Sequence, residues 1–181
     1  MDCSGIWKRN DKNVRDVSMN WLSKLLSEKA RETIALRLFG LTRIPLLYYV
    51  GVSVAELSPE RMVIRIPLKR RTKNHLGSMY FGVLCVGADC APGVFAMYLI
   101  RQQPERISMV FKDFQAEFLK RAEGDVHFIC DQGKVIAELV AQAAASSERV
   151  ERQIDVIATV PSLSDEPVAR FKLTLSLKKR P

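Results

Sequence analysis

Histidine is scarce in this 181-residue chain: His75 and His127 are the only two, far apart in sequence. The four cysteines (Cys3, Cys85, Cys90, Cys130) contain no C-x-x-C pair. Zinc fingers, thioredoxin-like redox centres and haem attachment therefore lack their sequence signals, and neither a metal nor a bound cofactor is expected. G-x-S-x-G is absent, and with it the local context of a serine-hydrolase triad. The start, MDCSGIWKRNDK, has no apolar core of signal-peptide length. With free cysteines, this predicts a reducing, cytoplasmic setting. Repeats and low-complexity runs are missing too. A chain of this length, 48% apolar, is expected to form one core without disulfide or metal staples.

Charge is missing from one long stretch. Residues 74–100 hold a single full charge, Asp89, which by length would admit a membrane span. Asp89 in mid-segment, Pro92 and four glycines argue instead for the buried helix of a globular domain, so no membrane span is expected. Elsewhere positive charge is in excess, +8 overall. The excess is regional: +8 over residues 1–75, −3 over 76–160 and +3 over 161–181. Its densest cluster, Lys69-Arg70-Arg71-Thr72-Lys73, directly precedes the apolar stretch. Such a patch is either a solvated loop or a site for anionic groups. Nucleic acid is not the expected partner, because aromatic residues are not interleaved with the cluster and no nucleic-acid-binding motif is present.

Apolar periodicity predicts the elements. Residues 1–13 are polar. From Val17 to Phe39 an apolar stripe (Leu22, Leu26, Ala30, Ile34, Leu38) has helical spacing, with Gly40 as its stop and Pro45 beyond. This helix is read as a flank covering a sheet, in preference to a membrane-surface or partner-binding helix. Residues 1–44 thus form an N-terminal appendage and 45–181 the main domain. Strands are predicted over Tyr48–Leu57, Arg61–Leu68, Ile107–Leu119, Val126–Cys130, Glu151–Val160 and Val168–Lys178. The last alternates apolar and polar residues almost perfectly, so one face is buried. Helices are predicted from Ser78 to about Arg101, with Ser78 as N-cap, and over Lys134–Ala145. The first of these has almost no polar face, so an α+β fold follows in which a curved antiparallel sheet of about six strands wraps it.

Within the long helix, Gly82, Cys85, Val86, Asp89, Gly93 and Ala96 recur every three or four residues and share one face. It is a face of small residues around one carboxylate. Asp89 on it is either a structural hydrogen-bond acceptor or, desolvated in an apolar cleft, a base or nucleophile. His75, just before the helix, reads as structural or solvent-facing in preference to a substrate contact, His127 as a strand residue, and Cys85 and Cys90 as small core fillers.

The pattern N-x-x-G-S/T-x-x-x-G followed seven residues later by Asp, here Asn74, Gly77, Ser78, Gly82 and Asp89, resembles the phenylacetate-pathway type of acyl-CoA thioesterase in the hotdog superfamily. NHLGSMYFGVLCVGAD with the downstream FKDFQAEFLKRAEGD is similar to an uncharacterised branch of that superfamily, a domain of unknown function. The resemblance implies a hotdog fold from about Tyr48 onward and hydrolysis of an acyl-CoA thioester, with coenzyme A arriving as part of the substrate. The alternative it leaves is a non-catalytic module that binds an acyl chain or CoA ester.

By the same resemblance Asp89 matches the catalytic carboxylate, Phe81 and Gly82 the helix start whose amides polarise the carbonyl, and Asn74 an asparagine near the reacting centre. Ser78 and Tyr80 fall beside the substrate, Tyr80 where phenylacetate-type enzymes carry histidine. Lys69, Arg70, Arg71 and Lys73, with Lys120 and Arg121 as a second group, are candidates for the CoA phosphates. Phe95, Met97, Phe111 and Phe114 are candidates for setting tunnel depth. Asp89 lies seven residues after Gly82, about 10 Å along one helix. One carbonyl cannot reach both in the same chain, so the mechanism requires at least a homodimer, or a tetramer.

Overall fold

The computed structural model describes residues 27–180. The polar residues 1–13 and the first part of the predicted N-terminal helix, with Leu22 and Leu26, lie outside them. Helix α1 spans Glu28–Thr42, and the Ser27 hydroxyl caps it by accepting from the Ala30 N–H at 3.4 Å. The predicted stop at Gly40 is not one. Gly40 is buried inside α1, where a Cβ would lie 2.9 Å from the Tyr48 backbone nitrogen. The missing side chain lets the next element approach. The predicted stripe is turned as well: Leu36 and Gly40 face the core, whereas Ile34 and Leu38 are exposed.

A strand was expected over the whole of Tyr48–Leu57, but its first part is helix α2, Pro45–Val50. Pro45 starts it, since proline's fixed φ suits a first helical turn and its missing N–H costs nothing there. Gly51 ends it at φ 76°, donating to the carbonyls of Leu47 and Tyr48. Strand β1 is therefore only Ser53–Leu57.

The remaining strands are β2 Met62–Ile66, β3 Ile107–Phe118, β4 Val126–Cys130, β5 Val150–Val160 and β6 Ser164–Lys179. They form one antiparallel sheet in the order β1-β2-β4-β5-β6-β3. In β6 the predicted alternation holds: Ala169, Phe171, Leu173, Leu175 and Leu177 are all buried. Helix α3, Phe81–Ile100, lies against β2, β4, β5, β6 and β3. It has the length and apolarity of a membrane span, and its burial against the sheet makes it a core helix. Gly87 meets Phe128 of β4 so closely that a Cβ there would collide with the ring. Helix α4, Gly133–Ala145, packs on α3, β5 and β6. A sheet curved round one long helix is the hotdog fold. Pro92 does not break α3, which runs on to Ile100. Proline's missing N–H does deprive the Ala88 carbonyl, beside Asp89, of its helical donor.

Candidate active site

The small-residue face of α3 divides in two. Gly82, Cys85, Val86 and Asp89 are half-buried, while Gly93 and Ala96 are fully covered. From Asp89 a cleft of about 440 Å³ runs along α3 to Ile100 and Arg101. Its walls are Met109, Val110 and Phe111 of β3 on one side and Leu36, Phe39 and Leu47 of α1 and α2 on the other. This is the size of a small-ligand pocket. Burial against these apolar walls pushes the Asp89 carboxyl above its ordinary range. No described side chain pairs with it as an ion. Cys90, next in the chain, has its thiol pushed far up by burial and then by the Asp89 charge. Burial raises Cys85 too. Neither thiol is a ready nucleophile.

The chain enters α3 through a tied turn. Asn74 Oδ1 accepts from the Leu76 N–H at 2.9 Å, and the Ser78 hydroxyl lies 3.1 Å from Asn74 Nδ2 and 3.3 Å from Oδ1. Ser78 is buried and is not the N-cap that the sequence predicts; Tyr80 is, without a side-chain cap bond. The reason lies in backbone pairing. The Met79 N–H donates to Ala122 and the Tyr80 N–H to Thr72, which keeps the chain extended to Tyr80. Helical bonds then begin with Val83 and Leu84 donating to the Tyr80 carbonyl. The N–H groups of Phe81 and Gly82 have no backbone acceptor among the described residues, as the first turn of a helix requires.

An aromatic cluster surrounds this helix start. The Tyr80 and Phe81 rings lie 4.8 Å apart, and Phe118 of β3 meets Phe81 at 6.1 Å. Phe114 packs on Phe171 at 5.7 Å, on the edge strand and outside the Asp89 cleft. Of the other candidates for tunnel depth, Met97 and Phe111 line the cleft and Phe95 is wholly buried in the core.

The basic turn is built by two residues that sequence reasoning missed. Thr72 is fully buried; its hydroxyl donates to the Pro67 carbonyl and accepts from the Lys69 N–H, both at 2.8 Å. Asp125 accepts from the Leu68 N–H at 2.8 Å and from Arg65. The Leu68 bond, then Arg65, hold its carboxyl below the usual range. The only advance signal for Thr72 was a short hydroxyl side chain inside a run of cations. Lys69, Arg70 and Arg71 stand exposed around a shallow recess with Tyr49, and the Arg71 guanidinium lies 5.7 Å from the Tyr49 ring centre. Lys73 is exposed beside them. In the second basic group Lys120 is engaged by Glu166, and Arg121 is exposed. His75 is exposed in the turn. His127 sits on β4 opposite Arg65, its pKa lowered by burial and then by Arg65.

Solved structures similar to this chain share its architecture. A Pseudomonas aeruginosa protein of unknown function, described as a probable thioesterase, aligns with a TM-score of 0.66 at 23% identity, covering 82% of this chain and 96% of its own. A Chlorobaculum tepidum protein of unknown function aligns with a TM-score of 0.72 at 12% identity, covering 84% and 97%. A Haemophilus influenzae thioesterase aligns with a TM-score of 0.58 at 15% identity, covering 78% and 88%. At these identities the likeness is one of fold. Curated proteins offer no match. Residues 34–177 match a domain of unknown function, DUF4442, from within α1 to within the last strand, β6. With most of its length inside that match, the chain belongs to the DUF4442 family.

Proposed function

We propose that this protein is an acyl-thioester hydrolase acting on fatty or aromatic acyl-CoA at a site shared between two subunits. The observation that carries the reading is Asp89: a half-buried carboxylate of raised pKa, without an ion partner among the described residues, at the head of an apolar cleft. The acyl group lies along α3 in that cleft. The thioester carbonyl accepts from the Phe81 and Gly82 N–H groups, unpaired among the described residues, with the α3 dipole behind them. Those amides and Asp89 stand about 10 Å apart in one chain, so the carboxylate comes from the partner. The exposed twelve-residue edge strand β3, which lies beside the helix start, supports such pairing.

Asp89 takes a proton from water as the water oxygen bonds to the carbonyl carbon. The tetrahedral oxyanion then collapses, the C–S bond breaks, and the thiolate leaves and is protonated. In the covalent variant Asp89 itself bonds to the carbonyl carbon, the C–S bond breaks and the thiolate leaves. Water then hydrolyses the resulting anhydride to release the acid and restore the carboxylate. Asn74 acts as a positioning residue, because both ends of its amide are spent on the turn that presents Phe81 and Gly82. Ser78 is its partner in that turn, and Tyr80 covers the helix start. Lys69, Arg70, Arg71 and Lys73 hold the CoA phosphates. The test is thiol release from a panel of acyl-CoAs by the wild type and Asp89→Asn. Turnover by the wild type and none by the variant is the expected result. Binding of acyl-CoA without any wild-type turnover would select the non-catalytic acyl-binding module instead.

A further inference from the structure

Helices α1 and α2 have two apolar sides. One side supplies Leu36, Phe39 and Leu47 to the Asp89 cleft. The other faces outward: Leu38, Leu41, Leu46, Tyr48 and Tyr49 are each at least half exposed, all within twelve residues of chain. A surface this apolar marks an interaction site. The stretches of chain that form it carry cations only. No carboxylate occurs from Thr33 to Ala55 or from Arg61 to Ala88. Arg43 is exposed between the leucines, and the Arg71–Tyr49 contact joins the face to the basic turn. The two acids of α1, Glu28 and Glu32, lie at its other end, bonded to Tyr98 and Arg101 of α3.

We propose that this face docks on an anionic lipid bilayer. Leucine and tyrosine enter the boundary between headgroups and acyl chains, while the exposed Arg43 lies over the lipid phosphates. Exposed leucines and tyrosines beside an exposed arginine are side chains that suit the boundary between headgroups and acyl chains. An acidic protein engaging the cations alone would leave those apolar side chains in water. The proposal goes beyond thioester cleavage and does not depend on it, because none of the residues tested below belongs to the cleft or the helix start.

The experiment is co-sedimentation of the full 181-residue protein with phosphatidylcholine vesicles, with and without phosphatidylserine, at about 0.1 M salt. The wild type is expected to pellet with the anionic vesicles and to bind the neutral ones far less. L41E/L46E is expected to bind about tenfold more weakly or worse, because two exposed leucines no longer enter the bilayer. R43E is expected to weaken binding to anionic vesicles only. Unchanged circular dichroism would show that the variants are folded. Equal pelleting by wild type and L41E/L46E, or no pelleting of the wild type, overturns the proposal. So does a fall in oligomeric state of L41E/L46E by sedimentation velocity, which would assign the face to a second copy of this chain. Retained thiol release alongside failed vesicle binding would sink this proposal and leave the thioesterase reading standing.

Discussion

Burial makes the ionised form of Asp89 costly to the fold, and that same ionised form is the one a general base needs. Its folded pKa lies above its unfolded value, so the folded chain loses stability as pH rises from the unfolded pKa, near 3.9, through the folded one. Asp89→Asn is therefore expected to raise the melting temperature at pH 7, with the gain fading toward pH 4, as thermal scans across pH would show. The same substitution should cut thiol release by roughly 10²–10⁴-fold. In the wild type, the rising limb of activity against pH should have its midpoint above the ordinary aspartate range. Asp125 has the opposite sign. Its pKa is depressed, so its contribution is present above the unfolded pKa and lost as pH falls through the folded one. Thr72→Val strands the Lys69 N–H and the Pro67 carbonyl, and should cost about 1–3 kcal/mol in urea denaturation.

Helix α3 and strand β4 meet where Gly87 admits the Phe128 ring. Gly87→Ala should cost about 1–3 kcal/mol by overpacking, measured the same way. Along the cleft, α1 contributes Phe39 opposite Met97 and Phe111. Phe39→Trp should shift kcat/KM toward shorter acyl chains; an unchanged chain-length profile would remove α1 from substrate selection. How much could be read in advance varied by element. The alternation in β6 and the apolar run of α3 each announce one buried surface, and both stand as predicted. So does the grouping of Gly82, Cys85, Val86 and Asp89 on one half-buried face. Residues 45–50 misled because Tyr48, Tyr49 and Val50 have strand-like side chains, while Pro45 and Gly51 decide the backbone. In α1, Ile34 and Leu38 have the spacing of a buried stripe, yet a small residue, Gly40, sets which side approaches α2. Ser78 has the side chain of an N-cap, and the pairing of Met79 with Ala122 and of Tyr80 with Thr72 explains why it is not one.

At the scale of the whole molecule, the +8 charge belongs to the flanks of the fold. The acidic central block holds α3, β3, β4, α4 and β5, and the basic turn precedes α3. Edge strand β3 leaves one side of the sheet open, and the helix start and Asp89 stand too far apart to act on one carbonyl from one chain. Both features support the proposed dimer with composite sites. The direct measurement is subunit mixing between Asp89→Asn and Phe81→Pro. The second variant removes one oxyanion amide at the first helical position, which suits proline and follows the extended Tyr80. Each parent alone should be inactive. Refolded together in equal amounts, half the dimers should be mixed, each with one intact site, restoring about a quarter of wild-type thiol release. Activity no higher than that of the parents, from mixtures in which mixed dimers are demonstrated, would contradict a shared site.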